Sequence, residues 1–161
     1  MIVYREYSNL KLQCPVVTIG IFDGVHTGHR FLLENLVTYA HSVSGESVVI
    51  TFDPHPREVL SGKPESVTFL TTLDEKTRLI EQISVDYLII NRFTRAFSMK
   101  GAHDFIREIL IGKIGMKHLV LGYDHHFGRK QEGDFSTIKK YSEEYGVKVI
   151  RIDKVYSGGG S

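Results

Sequence analysis

Two histidines three residues apart, His26 and His29, close the segment Gly20-Ile21-Phe22-Asp23-Gly24-Val25-His26-Thr27-Gly28-His29. An imidazole donates a hydrogen bond to a phosphate oxygen whether it is protonated or neutral. Beside phosphorus it stabilises the charge that builds up during displacement. Gly20, Gly24 and Gly28 recur at four-residue intervals, and glycine lets the backbone approach a ligand closely. A helix starting near Gly28-His29 would aim its free N–H groups and positive end at the contents of the loop. A cradle for a nucleotide's phosphates is the chemistry these residues serve. Neither the Lys-Ser/Thr ending of a P-loop nor a Gly-x-Gly-x-x-Gly pattern is present. The plainer reading is two surface histidines beside a tight turn. The strand-like run before the segment and the helix-like run after it argue against that reading.

Two more clusters follow apolar runs. Asp53-Pro54-His55-Pro56 comes directly after Phe52. Each proline fixes its own φ and pushes the preceding residue toward extended geometry, which makes the stretch stiff. It reads as a wall for a flat ring, or as an ordinary turn with a helix start at Pro56. The other cluster is Gly122-Tyr123-Asp124-His125-His126-Phe127-Gly128. His125 and His126, taken with His118 and His103, invite a zinc reading. Adjacent histidines do not share a helix face, and no cysteine pair completes a zinc spacing, so no metal site is assigned. Arg92 and Arg95 read as a solvated pair or as the border of a site, and Arg129 and Lys130 as solvated cations or as phosphate contacts. Lys76, Arg78, Lys139 and Lys140 read as solvated helix charge.

The elements that must position these clusters are legible in the apolar pattern. Val16 to Gly20, Val48 to Phe52, Tyr87 to Ile90, His118 to Leu121 and Val147 to Arg151 are short β-rich runs. Near-continuous runs of this kind suit a parallel sheet covered on both faces. Helical spacing is found in His29–Ser44, Leu73–Ile83, Met99–Leu110 and Asp134–Tyr145. Asp74 and Glu75 would occupy the first turn of the second of these helices, where the dipole favours negative charge. Gly146 would stop the last one. The alternation predicts an α/β, Rossmann-like, doubly wound fold. Its five-stranded sheet is mainly parallel, with helices on both faces. Ligands in such sheets bind outside the carboxyl ends of the strands, and all three clusters fall there.

Composition sets outer limits. The 161 residues carry a formal net charge of +1, so nothing draws the chain generally to nucleic acid or a membrane, and any anion site must be local. One domain is the natural division at this length. Cys14 is the only cysteine, which excludes an internal disulfide; it reads as a buried, inert thiol. No signal sequence opens the chain and no run approaches a membrane span, so a cytoplasmic location is expected. Ser157-Gly158-Gly159-Gly160-Ser161 reads as a flexible tail or linker.

His26-Thr27-Gly28-His29 resembles the His-x-Gly-His signature of the nucleotidylyltransferase superfamily. A narrower resemblance rests on Gly20-x-Phe22-Asp23-Gly24-Val25-His26-x-Gly28-His29, Thr51-Phe52-Asp53-Pro54-His55-Pro56, and Gly122-x-Asp124-x-x-Phe127-Gly128 followed by Gly133-Asp134. This pattern looks like the FMN adenylyltransferase (FAD synthetase) domain. In bacteria that domain is the N-terminal half of the bifunctional riboflavin kinase/FAD synthetase. The resemblance implies transfer of adenylyl from ATP to FMN, giving FAD and pyrophosphate with Mg2+. It implies that His26 and His29 meet the ATP phosphates, with Phe22, Asp23 and Gly24 lining the same pocket. Gly122 and Asp124 would meet the adenosine, and Phe52, Pro54, His55 and Pro56 would shape the flavin side. His125 departs from the aromatic residue that the family's pattern more commonly has after the Asp.

The resemblance assigns residues 1–156 to the adenylyltransferase domain and 157–161 to a tail or truncated linker. The Ser-Ser-Thr-x-x-Arg-like segment and the riboflavin kinase domain of the family do not appear before Ser161. A truncated fragment with impaired turnover and no kinase activity is therefore expected. Two alternatives stay open: a nucleotide- or flavin-binding module without turnover, and a nucleotidylyltransferase with another phosphate acceptor.

Overall fold

The computed structural model describes residues 1–22, 27–61, 72–122 and 135–152, with Thr27 and Gly28 through their backbone alone. Six parallel strands run in the order β1-β4-β3-β2-β5-β6. They are β1 (Ile2–Tyr4), β2 (Pro15–Ile19), β3 (Glu46–Asp53), β4 (Tyr87–Arg92), β5 (His118–Gly122) and β6 (Lys148–Ile152). The five-strand expectation is corrected by one. β1 is only three residues long and sits at the sheet edge against β4, with Ile2 and Val3 exposed. A strand that short, open on one side, leaves no run of buried apolar residues to recognise.

The expected helices form with shifted ends. α1 spans Thr27–Ser42 and α3 Leu73–Gln82, while α6 spans Phe135–Glu143. A short α2 (Pro56–Ser61) begins at Pro56, where the missing N–H costs nothing. A short α4 (Arg95–Ser98) precedes Met99, and the stretch expected as one helix from there is α5 (Ala102–Phe105) and a π-helical run over Ile106–Ile114. Its buried residues, Ile106, Leu110 and Ile114, recur every four positions. Such spacing keeps one face on the sheet when turns are wider than α. Gly115, at φ 72°, closes the run in the left-handed region.

Alternation along the strands sends side chains to two cores. On one face Val16, Val49, Leu88, Ile90 and Val120 meet Leu32, Leu33 and Leu36 of α1 and Ile80 of α3. On the other, Val17, Ile19, Ile50, Ile89 and Leu121 meet Phe105, Ile106, Leu110 and Ile138. Cys14 is half-buried rather than buried.

The chain moves outward from β2 through β3 to β4 on one side, then returns to build β5 and β6 on the other. The switch point is therefore between β2 and β5. Their register covers only Val16↔His118 and Val17↔Leu119, whereas β2 and β3 match at five positions. The strands part toward their carboxyl ends. The crevice where open α/β sheets take ligands opens at that point.

Candidate functional site at the carboxyl rim of the sheet

Gly20 leaves β2 with its N–H held by the Ile50 carbonyl at 3.0 Å. The next carbonyl, that of Ile21, accepts two hydrogen bonds. One comes from Thr51 Oγ1 on β3 at 3.1 Å and the other from Lys76 Nζ on α3 at 2.7 Å. These bonds fix the peptide that joins Ile21 to Phe22. Phe22 then takes φ 54°, unusual for a bulky residue. Its ring folds back over Gly20: a Cβ on Gly20 would lie 2.6 Å from Phe22 Cζ. Glycine is required there because the ring occupies the side-chain position.

Phe22 is 3% exposed, so it belongs to the core on the α1 face rather than lining an open pocket. Its edge meets the imidazole of His29, with ring centroids 5.3 Å apart. His29 is half-buried in the first turn of α1, whose opening N–H groups have no intrahelical acceptor. No acidic side chain occupies that turn. By contrast, α3 starts with Asp74 and Glu75 and a Thr72 side-chain cap. Among the described residues, no acidic side chain in the first turn of α1 thus offsets its positive end. Gly28 is the second residue of the same helix.

Across the switch point, Gly122 ends β5 on the α1 face. A Cβ there would sit 3.8 Å from Leu32 Cδ2, an ordinary contact. Packing among the described residues does not demand a glycine at this position.

The opposite face of the same rim is aromatic. Phe52 of β3 lies 6.0 Å from Phe93 and 5.8 Å from Phe97, and those two are 5.7 Å apart, centroid to centroid. The buried Phe105 backs Phe97 at 5.7 Å. Phe93 is tied to the end of β3 by its N–H on the Asp53 carbonyl. The Asp53–Pro54 peptide is cis. His55 starts α2: its carbonyl accepts from Glu58 N–H and its Nδ1 from Arg57 N–H at 3.1 Å. The helix start expected at Pro56 is therefore present, on the aromatic side of the rim.

Phe22 lies over Gly20 and touches His29, and Gly122 ends β5 beside Leu32 of α1 on the same face, while Phe52 stands in the aromatic cluster on the other face, followed by Pro54, His55 and Pro56. Asp23, Gly24, His26 and Asp124 lie outside the described residues, as do His125, His126, Arg129 and Lys130. Lys76, read from sequence as solvated, is corrected to buried, at 6% exposure. The signal was its spacing: Leu73, Lys76, Ile80 and Ile83 follow one stripe of α3, so Lys76 stands among the apolar positions. Phe97 was also missed. It stands in α4, just past the turn that follows β4, and no spacing in the sequence ties it to Phe52.

The family described as FAD synthetase matches residues 9–161 of the chain. The chain belongs to the FAD synthetase family. Among its relatives is a bifunctional riboflavin kinase/FMN adenylyltransferase of Buchnera aphidicola subsp. Schizaphis graminum, 38% identical over 96% of this chain and 50% of that protein. The Escherichia coli K12 protein of the same name is 37% identical over 99% of this chain and 51% of its own length. This FAD synthetase family member therefore spans about half the length of those relatives. A structure described as a macrolide-efflux protein from Streptococcus pneumoniae superposes on 99% of the chain and 51% of its own, with TM-score 0.81 and 24% identity. At that identity the likeness speaks for the fold alone. No described helix of this family member is long and apolar enough to cross a membrane.

Proposed function

We propose that the chain transfers the adenylyl group of ATP to FMN, giving FAD and pyrophosphate, and that residues 1–156 carry this activity. The observation that carries the reading is the contact of Phe22 with His29 in the first turn of α1, beside the β2/β5 switch point, in a member of the FAD synthetase family.

A phosphate oxygen of FMN attacks the α-phosphorus of ATP in line. The new P–O bond forms as the bond from the α-phosphorus to the bridging oxygen breaks, and pyrophosphate leaves. The attacking group is already anionic, so no general base is assigned. The protein's task is positioning and charge stabilisation. His26, His29 and the first-turn N–H groups of α1 receive the phosphates, with Gly24 and Gly28 giving the backbone room, Asp23 lining the same pocket, and Gly20 making space for the Phe22 ring. Phe22 holds His29 from behind. Gly122 and Asp124 take the adenosine. Phe52, Phe93 and Phe97, bounded by Pro54, His55 and Pro56, face the flat flavin ring.

Among the described residues, no group of three His, Cys, Asp or Glu side chains could hold a metal ion. Mg2+ commonly enters such reactions on substrate phosphates, with few protein ligands. Both substrates are cytoplasmic metabolites, which supports a cytoplasmic location. In the relatives named above, the same activity is coupled by name to a riboflavin kinase, and we propose such a partner function here.

The test is incubation with ATP, Mg2+ and FMN, with FAD and pyrophosphate followed by chromatography. FAD formation is expected, and His29→Ala should lower it about 100-fold or more, the scale for losing one donor to developing charge. Absence of FAD, or a His29→Ala variant equal to its parent, would overturn the proposal.

A further inference from the structure

We propose that Lys76 is a positioning residue for the phosphate site, acting through Ile21 and Phe22 on His29. The inference deepens the function proposed above and rests on it for the identity of the ligand.

Lysine is among the residues least often fully buried, and Lys76 is 6% exposed. It stands on the apolar stripe of α3, where Leu or Ile would pack without any charge to desolvate. Packing alone does not call for an ammonium there. Its location does: Nζ lies 2.7 Å from the Ile21 carbonyl, two residues past the end of β2. Thr51 Oγ1 donates to the same oxygen from β3. One carbonyl is thus held from two elements, a helix and a strand that flank the loop.

A fixed Ile21 carbonyl sets the direction in which Phe22 departs. Phe22 at φ 54° lays its ring on Gly20 and sets its edge against His29. The described contacts therefore run without a break from Lys76 to Ile21, Phe22 and His29. Such a chain gives the imidazole one orientation before ligand arrives, and preorganised donors of this kind stabilise developing charge without having to reorient. The ammonium also puts a positive charge beside the loop in a chain whose net charge is only +1.

Lys76→Met keeps the length of the stem and removes the ammonium. Thr51→Val removes the other hydrogen bond to the same carbonyl with little change of shape. We expect kcat/KM for ATP to fall about tenfold or more in Lys76→Met, the scale of a lost charge-assisted hydrogen bond, and less in Thr51→Val. Because both variants act on one carbonyl, the double mutant should show less than the sum of the two effects. The His29 imidazole resonances, read by NMR without ligand, should shift in both variants. A merely structural role would lower the melting temperature and leave these signals and the kinetics of the folded protein unchanged, and that result overturns the inference. Should Lys76→Met fail to fold, the same readouts on Thr51→Val decide it. Should the parent make no FAD, the proposed function fails, while the His29 resonances still test the link from Lys76.

Discussion

Phe22 and His29 meet edge to face, their ring planes at 82°. One of the pair is a core residue and the other stands in the first turn of a helix that opens on the switch point. The imidazole is therefore held by packing from the hydrophobic core, and its placement depends on residues that never touch a ligand.

Gly20→Ala tests that packing. Its new Cβ would lie 2.6 Å from Phe22 Cζ, so the ring must leave its place. Overpacking of this kind costs about 1–3 kcal/mol. Urea denaturation should show the loss, and the His29 resonances should move with it. An alanine variant as stable as its parent would mean that Phe22 has an alternative seat.

Gly122→Ala should behave in the opposite way. The added methyl would sit at ordinary contact distance from Leu32, so stability should change by no more than about 0.5 kcal/mol. On the proposed function, the affected quantity should be the KM for ATP, because a methyl group there would intrude on the adenosine. Unchanged ATP kinetics would remove Gly122 from the nucleotide site.

Phe97→Ala separates the two faces of the rim. Loss of one ring from the Phe52, Phe93 and Phe97 cluster should weaken FMN binding about threefold to tenfold, the value of an aromatic contact. The KM for ATP should stay the same. A matching rise in both constants would place the ring outside the flavin side.

Tyr7 supplies a pH dependence. Burial pushes its hydroxyl well above the ordinary tyrosine value of 10.0, and the hydroxyl donates to Asn91 Oδ1. Above pH 10 the unfolded chain loses a proton that the folded chain keeps. The stabilisation is full below that pH and is lost as pH rises beyond it. Tyr7→Phe should cost about 1 kcal/mol near neutrality and flatten the alkaline decline, as read from denaturation midpoints at about pH 8 and about pH 11.

Strands β2 to β5 were legible because their central residues are apolar and buried, and β6 because Val147, Val149 and Ile150 stand together, although β6 itself is only partly buried. β1 was not, because its two exposed residues and three-residue length look like any chain terminus. The start of α1 was legible because Gly28 and His29 open a helix-spaced run directly after the loop. Lys76 was harder: its burial is imposed by a carbonyl 55 positions away, and only its place on the apolar stripe of α3 hinted at it. The aromatic triangle failed in the same way. Phe52 lies near the end of a strand-like run and was singled out, while Phe97 reaches it only through the turn after β4.

The short register between β2 and β5 has a mechanical meaning. Four strands stand on one side of that line and two on the other, and two matched residue pairs join them. A molecule bound across the crevice would act as a rivet between the halves. Its affinity would then appear in the resilience of the whole sheet, and slowed amide exchange along β5 on adding ATP would be the trace it leaves.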